Sequence, residues 1–295
     1  MAVPFDQRSD LIWFDGKLIP TAECQISVLT HGLHYASCVF EGERAYGGVI
    51  FEGTKHSERL KRSAEILDFE IPYSVAEIDA AKRMVLEKNN QKDAYVRPIA
   101  WRGSEQLGVS AQNNKIHLAV ATWEWPSYFD PAQRLKGIKL DIAEYRRPDP
   151  KTIPALAKAS CLYAICTISK HRAERRGFAD AMMLDWQGRV AECTGANIFF
   201  IKDGKIHTPI ADCFLAGITR ATAMTLARRH IEVIERRILP EELASFSECF
   251  ITGTAAEVTA VSQIADFTFT PGRITQQLMS DYTAEVQPKG KAAAA

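Results

Sequence analysis

Thr152-Ile153-Pro154-Ala155-Leu156-Ala157-Lys158-Ala159-Ser160-Cys161-Leu162-Tyr163 sets one lysine, Lys158, in a run of small and apolar residues. An ammonium group buried without a partner is costly, so such a lysine tends to shed its proton and become a nucleophile. A neutral amine in a dry pocket is what covalent capture of a carbonyl compound requires. The competing reading is a lysine that lays its stem on apolar neighbours and snorkels to the surface. This stretch alone leaves both open, and the rest of the chain has to decide.

At 295 residues the chain is long enough for one large or two medium domains, each with a full core. Lysine plus arginine equals aspartate plus glutamate at 36 each, so the formal net charge is zero. That balance argues against a broad nucleic-acid surface, and no dense basic run with interleaved aromatics occurs. No apolar stretch is long enough to span a bilayer. The first residues, with Asp6, Arg8, Ser9 and Asp10, have no signal-peptide core. The seven cysteines are scattered, form no C-x-x-C pair and suit a reducing cytoplasm.

Two strands joined at Asp15-Gly16 open the chain, and a second hairpin turns at Gly47-Gly48 with 38–46 as its first strand. Apolar residues at three- and four-residue spacing predict helices near 56–67 and 75–89, followed by strands at 94–102 and 116–125. These make residues 1–125 a small α+β domain. Residues 126–136, with two prolines, read as an interdomain connection. A larger domain follows at 137–286: a strand near 138–144, a turn at Arg147-Pro148-Asp149-Pro150 and a helix over 160–176. Strands at 181–185 and 190–193, a hairpin at Asp203-Gly204 and a helix over 219–230 come next. Strands at 248–252 and 258–262 and a last helix complete it. The tail 287–295, ending in four alanines, reads as disordered. Neither a Walker A nor a G-x-G-x-x-G pattern is present, which disfavours nucleotide cofactors.

Several segments can carry chemistry. Gly217-Ile218-Thr219-Arg220 opens an alanine-rich helix, where free amides and a hydroxyl form a phosphate cup or merely an ordinary N-cap. Thr252-Gly253-Thr254-Ala255-Ala256-Glu257 follows a strand and allows either close approach to an oxyanion or a tight turn. Tyr95 and Arg97 share a strand face and suit a carboxylate, with a surface ion pair as the rival reading. The same alternation puts Phe40, Gly42 and Arg44 on one face and Glu41 and Glu43 on the other. Trp123 and Trp125 share a face as well, walling a pocket or filling a core. Glu192 suits the acidic partner of a pyridinium nitrogen, as pyridoxal phosphate (PLP) requires, or is an exposed strand glutamate. His31 and His34 stand three apart, but no further ligand spacing supports a metal site.

Taken in order, His34-Tyr35 through Phe40-Glu41-Gly42, Tyr95-Val96-Arg97-Pro98, Lys158 with Tyr163, Glu192 through Asn197, Gly217-Ile218-Thr219-Arg220 and Gly253-Thr254-Ala255-Ala256-Glu257 resemble the branched-chain amino acid aminotransferases, members of the fold-type IV PLP enzymes. The resemblance implies an α/β (α+β) fold of two domains with the cofactor cleft between them. Lys158 then looks like the Schiff-base lysine that also moves a proton between substrate and cofactor. Glu192 would face the pyridine nitrogen, Tyr163 the ring hydroxyl and Leu215 the ring. Arg59, Ile218, Thr219 and Thr254 would bind the phosphate. Tyr95 and the Ala255-Ala256 backbone would take the substrate carboxylate, with Arg97 nearby. Phe40, Tyr35 (in some members from the partner subunit), Trp125 and Leu107 would surround the apolar side chain.

An apolar pocket accepts leucine, isoleucine and valine but separates them poorly, because one methylene is worth only about 1–3 kcal/mol. Glutamate must enter the same site, and Arg97 or a main-chain group near Gly42 is the candidate for its second carboxylate. The family also implies a homodimer, sometimes a trimer of dimers, acting on amino acids and 2-oxo acids. Two departures stand out. Glu43 replaces an apolar residue common after Phe-Glu-Gly, and alternation places it outside the pocket. Ser160-Cys161 replaces a glycine-rich pair, which tightens packing near Lys158. D-amino acid and (R)-amine transaminases, aminodeoxychorismate lyase and a non-catalytic PLP-binding protein share the fold. The loop Gln106-Leu107-Gly108-Val109, together with Tyr95 and Arg97, favours the branched-chain group.

Overall fold

The structure, a computed structural model, describes residues 3–125 and 135–288. The chain forms two compact units: the first contains residues 3–125, 157–161 and 287–288, the second residues 135–156 and 162–286. Most of the expected connection at 126–136 and of the tail past 288 lies outside the described residues.

In the first unit the strands are β1 (Leu11–Phe14), β2 (Lys17–Pro20), β3 (Cys38–Phe40), β4 (Glu43–Tyr46), β5 (Val49–Ile50), β6 (Ala94–Arg102) and β7 (Ile116–Glu124). The helices are α1 (His31–Tyr35), α2 (Gly53–Ile66) and α3 (Val75–Lys88). The sheet runs β2-β1-β7-β6-β4-β5, with β3 also on β6, and every pairing is antiparallel. Both hairpins form where Asp-Gly and Gly-Gly place them, with positive φ at Asp15, Gly16, Gly47 and Gly48. Side-chain alternation along β6 sends Val96 and Ala100 into a core with Leu60 and Ala64 of α2 and Ile78 and Val85 of α3. Tyr95, Arg97, Ile99 and Trp101 therefore point to the opposite face.

The single strand expected over 38–46 is two strands, broken at Glu41-Gly42. The register is the same on both sides, Phe40↔Ile99 and Glu43↔Val96. Pro98 stands opposite the break and has no N–H to give the ladder. Its carbonyl still accepts from the Glu41 amide at 2.8 Å.

The second unit contains β8 (Ile138–Ile142), α4 (Ala164–Arg175), β9 (Asp180–Leu184), β10 (Val190–Cys193), β11 (Asn197–Lys202) and β12 (Lys205–Thr208). It continues with α5 (Ile218–Ala227), β13 (Val233–Glu235), β14 (Glu248–Gly253), β15 (Glu257–Ile264), β16 (Phe267–Thr268) and α6 (Arg273–Val286). Its sheet is mixed, in the order β10-β9-β8-β15-β14-β11-β12-β13 with β16 on β15; β8 is parallel to β9 and β15, and β12 to β13. Leu140, Met182, Ile198, Phe200, Ile251 and Val261 fill its core.

The helix expected from Ser160 starts only at Ala164, after a short 3-10 turn over Ser160–Leu162. The preceding residues are held by β3 instead: Ala159 bridges Val39. The helix expected over 219–230 runs Ile218–Ala227. Strands β13 and β16, three and two residues long, are too short to leave a period in the sequence. Among the described residues no helix is long and apolar enough to cross a membrane.

Candidate active site

In the first unit the β3–β4 break gathers contacts to Lys158, Arg59 and Tyr95 on three consecutive residues. The Phe40 amide donates to the Lys158 carbonyl at 3.1 Å, and Lys158 Nζ lies 4.9 Å from the Phe40 ring centre. The Lys158 amide donates to Ser63 Oγ of α2 at 3.0 Å. Ala157 and Ala159 are buried, whereas Lys158 itself is half-buried. Full burial of the lysine, which its apolar flanks suggested, is therefore not what the fold provides. The backbone is held at both its amide and its carbonyl. Gly42 lies beside Tyr95, and a Cβ there would overlap the Tyr95 hydroxyl.

Tyr95 and Arg97 do share a face, and Arg97 Nη2 donates to the Tyr95 hydroxyl at 3.2 Å. The rival reading of a surface ion pair is not what the fold builds there. The guanidinium sits 4.8, 5.2 and 5.9 Å from the ring centres of Phe40, Tyr95 and Trp123. Trp123 stacks on Tyr95 at 4.8 Å and Trp125 tilts against it at 5.2 Å. The result is an aromatic wall carrying the Arg97 guanidinium, suited both to apolar side chains and to a carboxylate.

Glu41 and Glu43 turn to the other face, toward α2 and α3. Glu41 is fully buried and accepts from Arg59 Nε and Nη2, both at 2.7 Å, and it meets His56 Nδ1 at 2.7 Å. Burial pushes this carboxyl up, but Arg59 and His56 outweigh it and hold it well below the usual range. Burial lowers His56. Glu43 meets Lys82 Nζ at 2.9 Å, also fully buried. Lys82 also donates to the Gly53 carbonyl and Ser57 Oγ, each at 2.7 Å, and lies 3.0 Å from Asp79.

The second unit builds a polar cradle around Glu192 on β10. Glu192 is buried, not an exposed strand residue: Oε1 lies 2.8 Å from Arg147 Nη2 and Oε2 accepts from Asn197 Nδ2 at 3.2 Å. Asn197 also donates to the Leu215 carbonyl at 3.0 Å and accepts from the Gly217 amide at 3.1 Å. It thus ties Glu192, Leu215 and the start of α5 together. Gly217 is the N-cap of α5 and supplies no capping side chain. Thr219 lies one residue inside the helix and is buried, so the ordinary threonine-cap reading fails. The amides of Ile218 and Thr219 are left to an anion.

Across the strand pair from Asn197 stands Thr252, whose buried Oγ1 has no partner among the described residues. Thr254, Ala255 and Ala256 form the turn from β14 to β15, where Gly253 pairs with Glu257. A buried acid held for a cationic nitrogen, an uncapped helix N-terminus and an orphaned hydroxyl fit a phosphorylated pyridine cofactor.

Tyr35 and Leu107 are not brought to this wall. Both are exposed, and Tyr35 stacks on His31 at 4.7 Å. His31 Nε2 contacts the Gly108 carbonyl and His34 Nε2 the Val28 carbonyl, at 2.9 and 2.8 Å. Sequence reasoning missed Arg147 and Asn197. Asn197 ends a quoted motif, but nothing local marked it as the hub, and Arg147 looked like part of a turn.

A sequence profile of the amino-transferase class IV family matches residues 38–264. A protein of Rickettsia felis named probable branched-chain-amino-acid aminotransferase is 42% identical over 276 residues, 92% of this chain and 94% of that protein. The branched-chain-amino-acid aminotransferase of Pseudomonas aeruginosa is 39% identical, over 97% of this chain and 95% of its own length. Two solved structures show the same fold. The T.th. branched-chain amino acid aminotransferase with pyridoxamine 5′-phosphate has a TM-score of 0.92 at 36% identity, over 95% of both chains. That of Escherichia coli has a TM-score of 0.88 at 31% identity, over 97% of this chain and 98% of its own. The chain belongs to the class IV aminotransferases.

Proposed function

We propose that this protein transfers amino groups between branched-chain L-amino acids and 2-oxoglutarate with PLP, giving branched-chain 2-oxo acids and L-glutamate. The observation that carries this reading is the aromatic wall of Phe40, Tyr95 and Trp123 around Arg97. It offers apolar surface to leucine, isoleucine or valine and a guanidinium to the second carboxylate of glutamate. The enzymes of this name in Pseudomonas aeruginosa and Rickettsia felis, similar over nearly their whole length, support the reading.

When bound, PLP supplies an electron sink that acidifies the substrate's α-carbon. The chain supplies the rest. Lys158 would hold the cofactor, and its amine would move the proton at the substrate's α-carbon. Glu192, fixed by Arg147 and Asn197, keeps the ring nitrogen protonated. Tyr163 would hold the ring hydroxyl and Leu215 would pack on the ring. Arg59 of the first unit would be a phosphate ligand, and so would Ile218, Thr219 and Thr254 of the second. In the first unit Tyr95 would bind the substrate carboxylate, and Phe40, Gly42 and Trp125 would shape the side-chain pocket; in the second the Ala255 and Ala256 amides would serve as carboxylate donors.

The working unit is a homodimer. Ile26, Val28, Leu29, Leu33 and Val109 are exposed around Tyr35 and Leu107, and the His31 contact to Gly108 ties the two segments into one apolar patch. A second copy covering that patch would bring Tyr35 and Leu107 of the partner subunit to the pocket. Among the described residues the seven cysteines form no disulfide, as a cytoplasmic enzyme keeps them.

The test is visible absorption of the PLP-loaded protein before and after L-leucine or D-alanine. Loss of the cofactor band with L-leucine alone is expected. Loss with D-alanine alone would move the protein to D-amino acid chemistry. Lys158→Ala should fold yet lose the yellow colour, and near-normal transamination by that variant would overturn the assignment.

A further inference from the structure

Arg59 is a long side chain near the middle of α2, and a phosphate ligand has to be held still to be selective. What holds it is Glu41, two bonds of 2.7 Å to Nε and Nη2 in a site with no exposure on the acid side. This fork-on-fork contact fixes the guanidinium plane as well as its position. The acid is itself fixed from two directions. His56, one turn before Arg59 on α2, meets Oε2 at 2.7 Å. The Glu41 amide is bonded to Pro98 of β6. Its chain neighbours are Phe40, which holds Lys158, and Gly42, which makes room for Tyr95.

We propose that Glu41 is a positioning residue for the cofactor's phosphate, acting through Arg59, and that the break Phe40-Glu41-Gly42 sets the lysine, the phosphate arginine and the carboxylate-binding tyrosine in one frame. This rests on Arg59 being the phosphate ligand. The alternative, that Glu41 merely offsets a buried positive charge, makes a prediction of opposite sign. A carboxylate beside Arg59 repels a phosphate, so removing its charge should tighten phosphate binding if charge were all that mattered. If orientation matters more, the same change weakens it.

The experiment measures the dissociation constants of PLP and of pyridoxal, which lacks the phosphate, for the apoprotein by absorbance. It uses the parent, Glu41→Gln, Arg59→Ala and the double variant. Positioning predicts that the preference for PLP over pyridoxal falls roughly tenfold or more in E41Q. Pyridoxal affinity and the far-UV spectrum should be unchanged. Adding E41Q to R59A should then cost nothing further, because the two act as one unit.

An unchanged or increased preference for PLP in E41Q would overturn the proposal. So would an equal loss for both ligands, which marks a structural role only. Glu41→Ala gives the same comparison if E41Q does not fold. Should R59A itself leave the preference intact, the phosphate assignment and this proposal fall together. A preference lost in R59A but kept in E41Q sinks this proposal alone.

Discussion

Glu43, which follows Phe40-Glu41-Gly42, carries a carboxyl into the interior of the first unit. The side chain is fully buried against Lys82, with Glu41 and Asp79 nearby. Burial, outweighing Lys82, pushes its carboxyl up from an ordinary 4.5 to about 8. Between those two values the folded protein holds a proton that the unfolded chain releases. This contribution to stability is complete below the lower value and is lost as pH rises through the upper one. In Glu43→Gln the dependence disappears. Melting curves of the two proteins at about pH 5.5 and about pH 8.5 should show the parent losing stability relative to E43Q. Equal shifts in both would refute it. Gly42 is the second sensitive residue. Gly42→Ala must displace the Tyr95 hydroxyl, and kcat/KM for L-leucine should fall on the order of 10- to 100-fold with folding intact.

Elements were legible where local chemistry settled them. Asp15-Gly16 and Gly47-Gly48 demand positive φ and obtain it. Helix α3 was readable from its apolar spacing alone, and it starts where the sequence places it because Ser74 and Glu77 form a reciprocal capping box. Ser74→Ala should cost about 1 kcal/mol in urea unfolding without changing the slope of the transition. The β3–β4 break was invisible because it arises from Pro98 on another strand, and the late start of α4 because Ala159 is held by Val39. Arg147 shows the same limit within the site. Its place beside Glu192 depends on two turns and a strand meeting in space, which no spacing along the chain encodes. The motif residues suggested roles, while the residues packed and bonded around them became visible only in three dimensions.

At the scale of the whole molecule, the residues that one chain does not bring to its own wall are the informative ones. Val28, Leu33 and Val109 are 79%, 62% and 84% exposed, next to Tyr35 and Leu107. Scattered apolar side chains need no explanation, but a patch tied together by His31 and carrying two residues proposed for the pocket does. If a second copy covers it, charge placed there should separate the subunits while leaving each fold intact. Leu33→Glu, or Val28→Glu with Val109→Glu, should elute at the mass of one chain in light-scattering chromatography while the parent elutes as a dimer or larger. The separated chain should keep the far-UV spectrum of the parent. If the partner's Tyr35 and the partner's Leu107 complete the side-chain pocket as proposed, its KM for L-leucine should rise more than its affinity for PLP falls. A variant that remains dimeric, or a monomer with unaltered KM, would show that this patch is not where the copies meet.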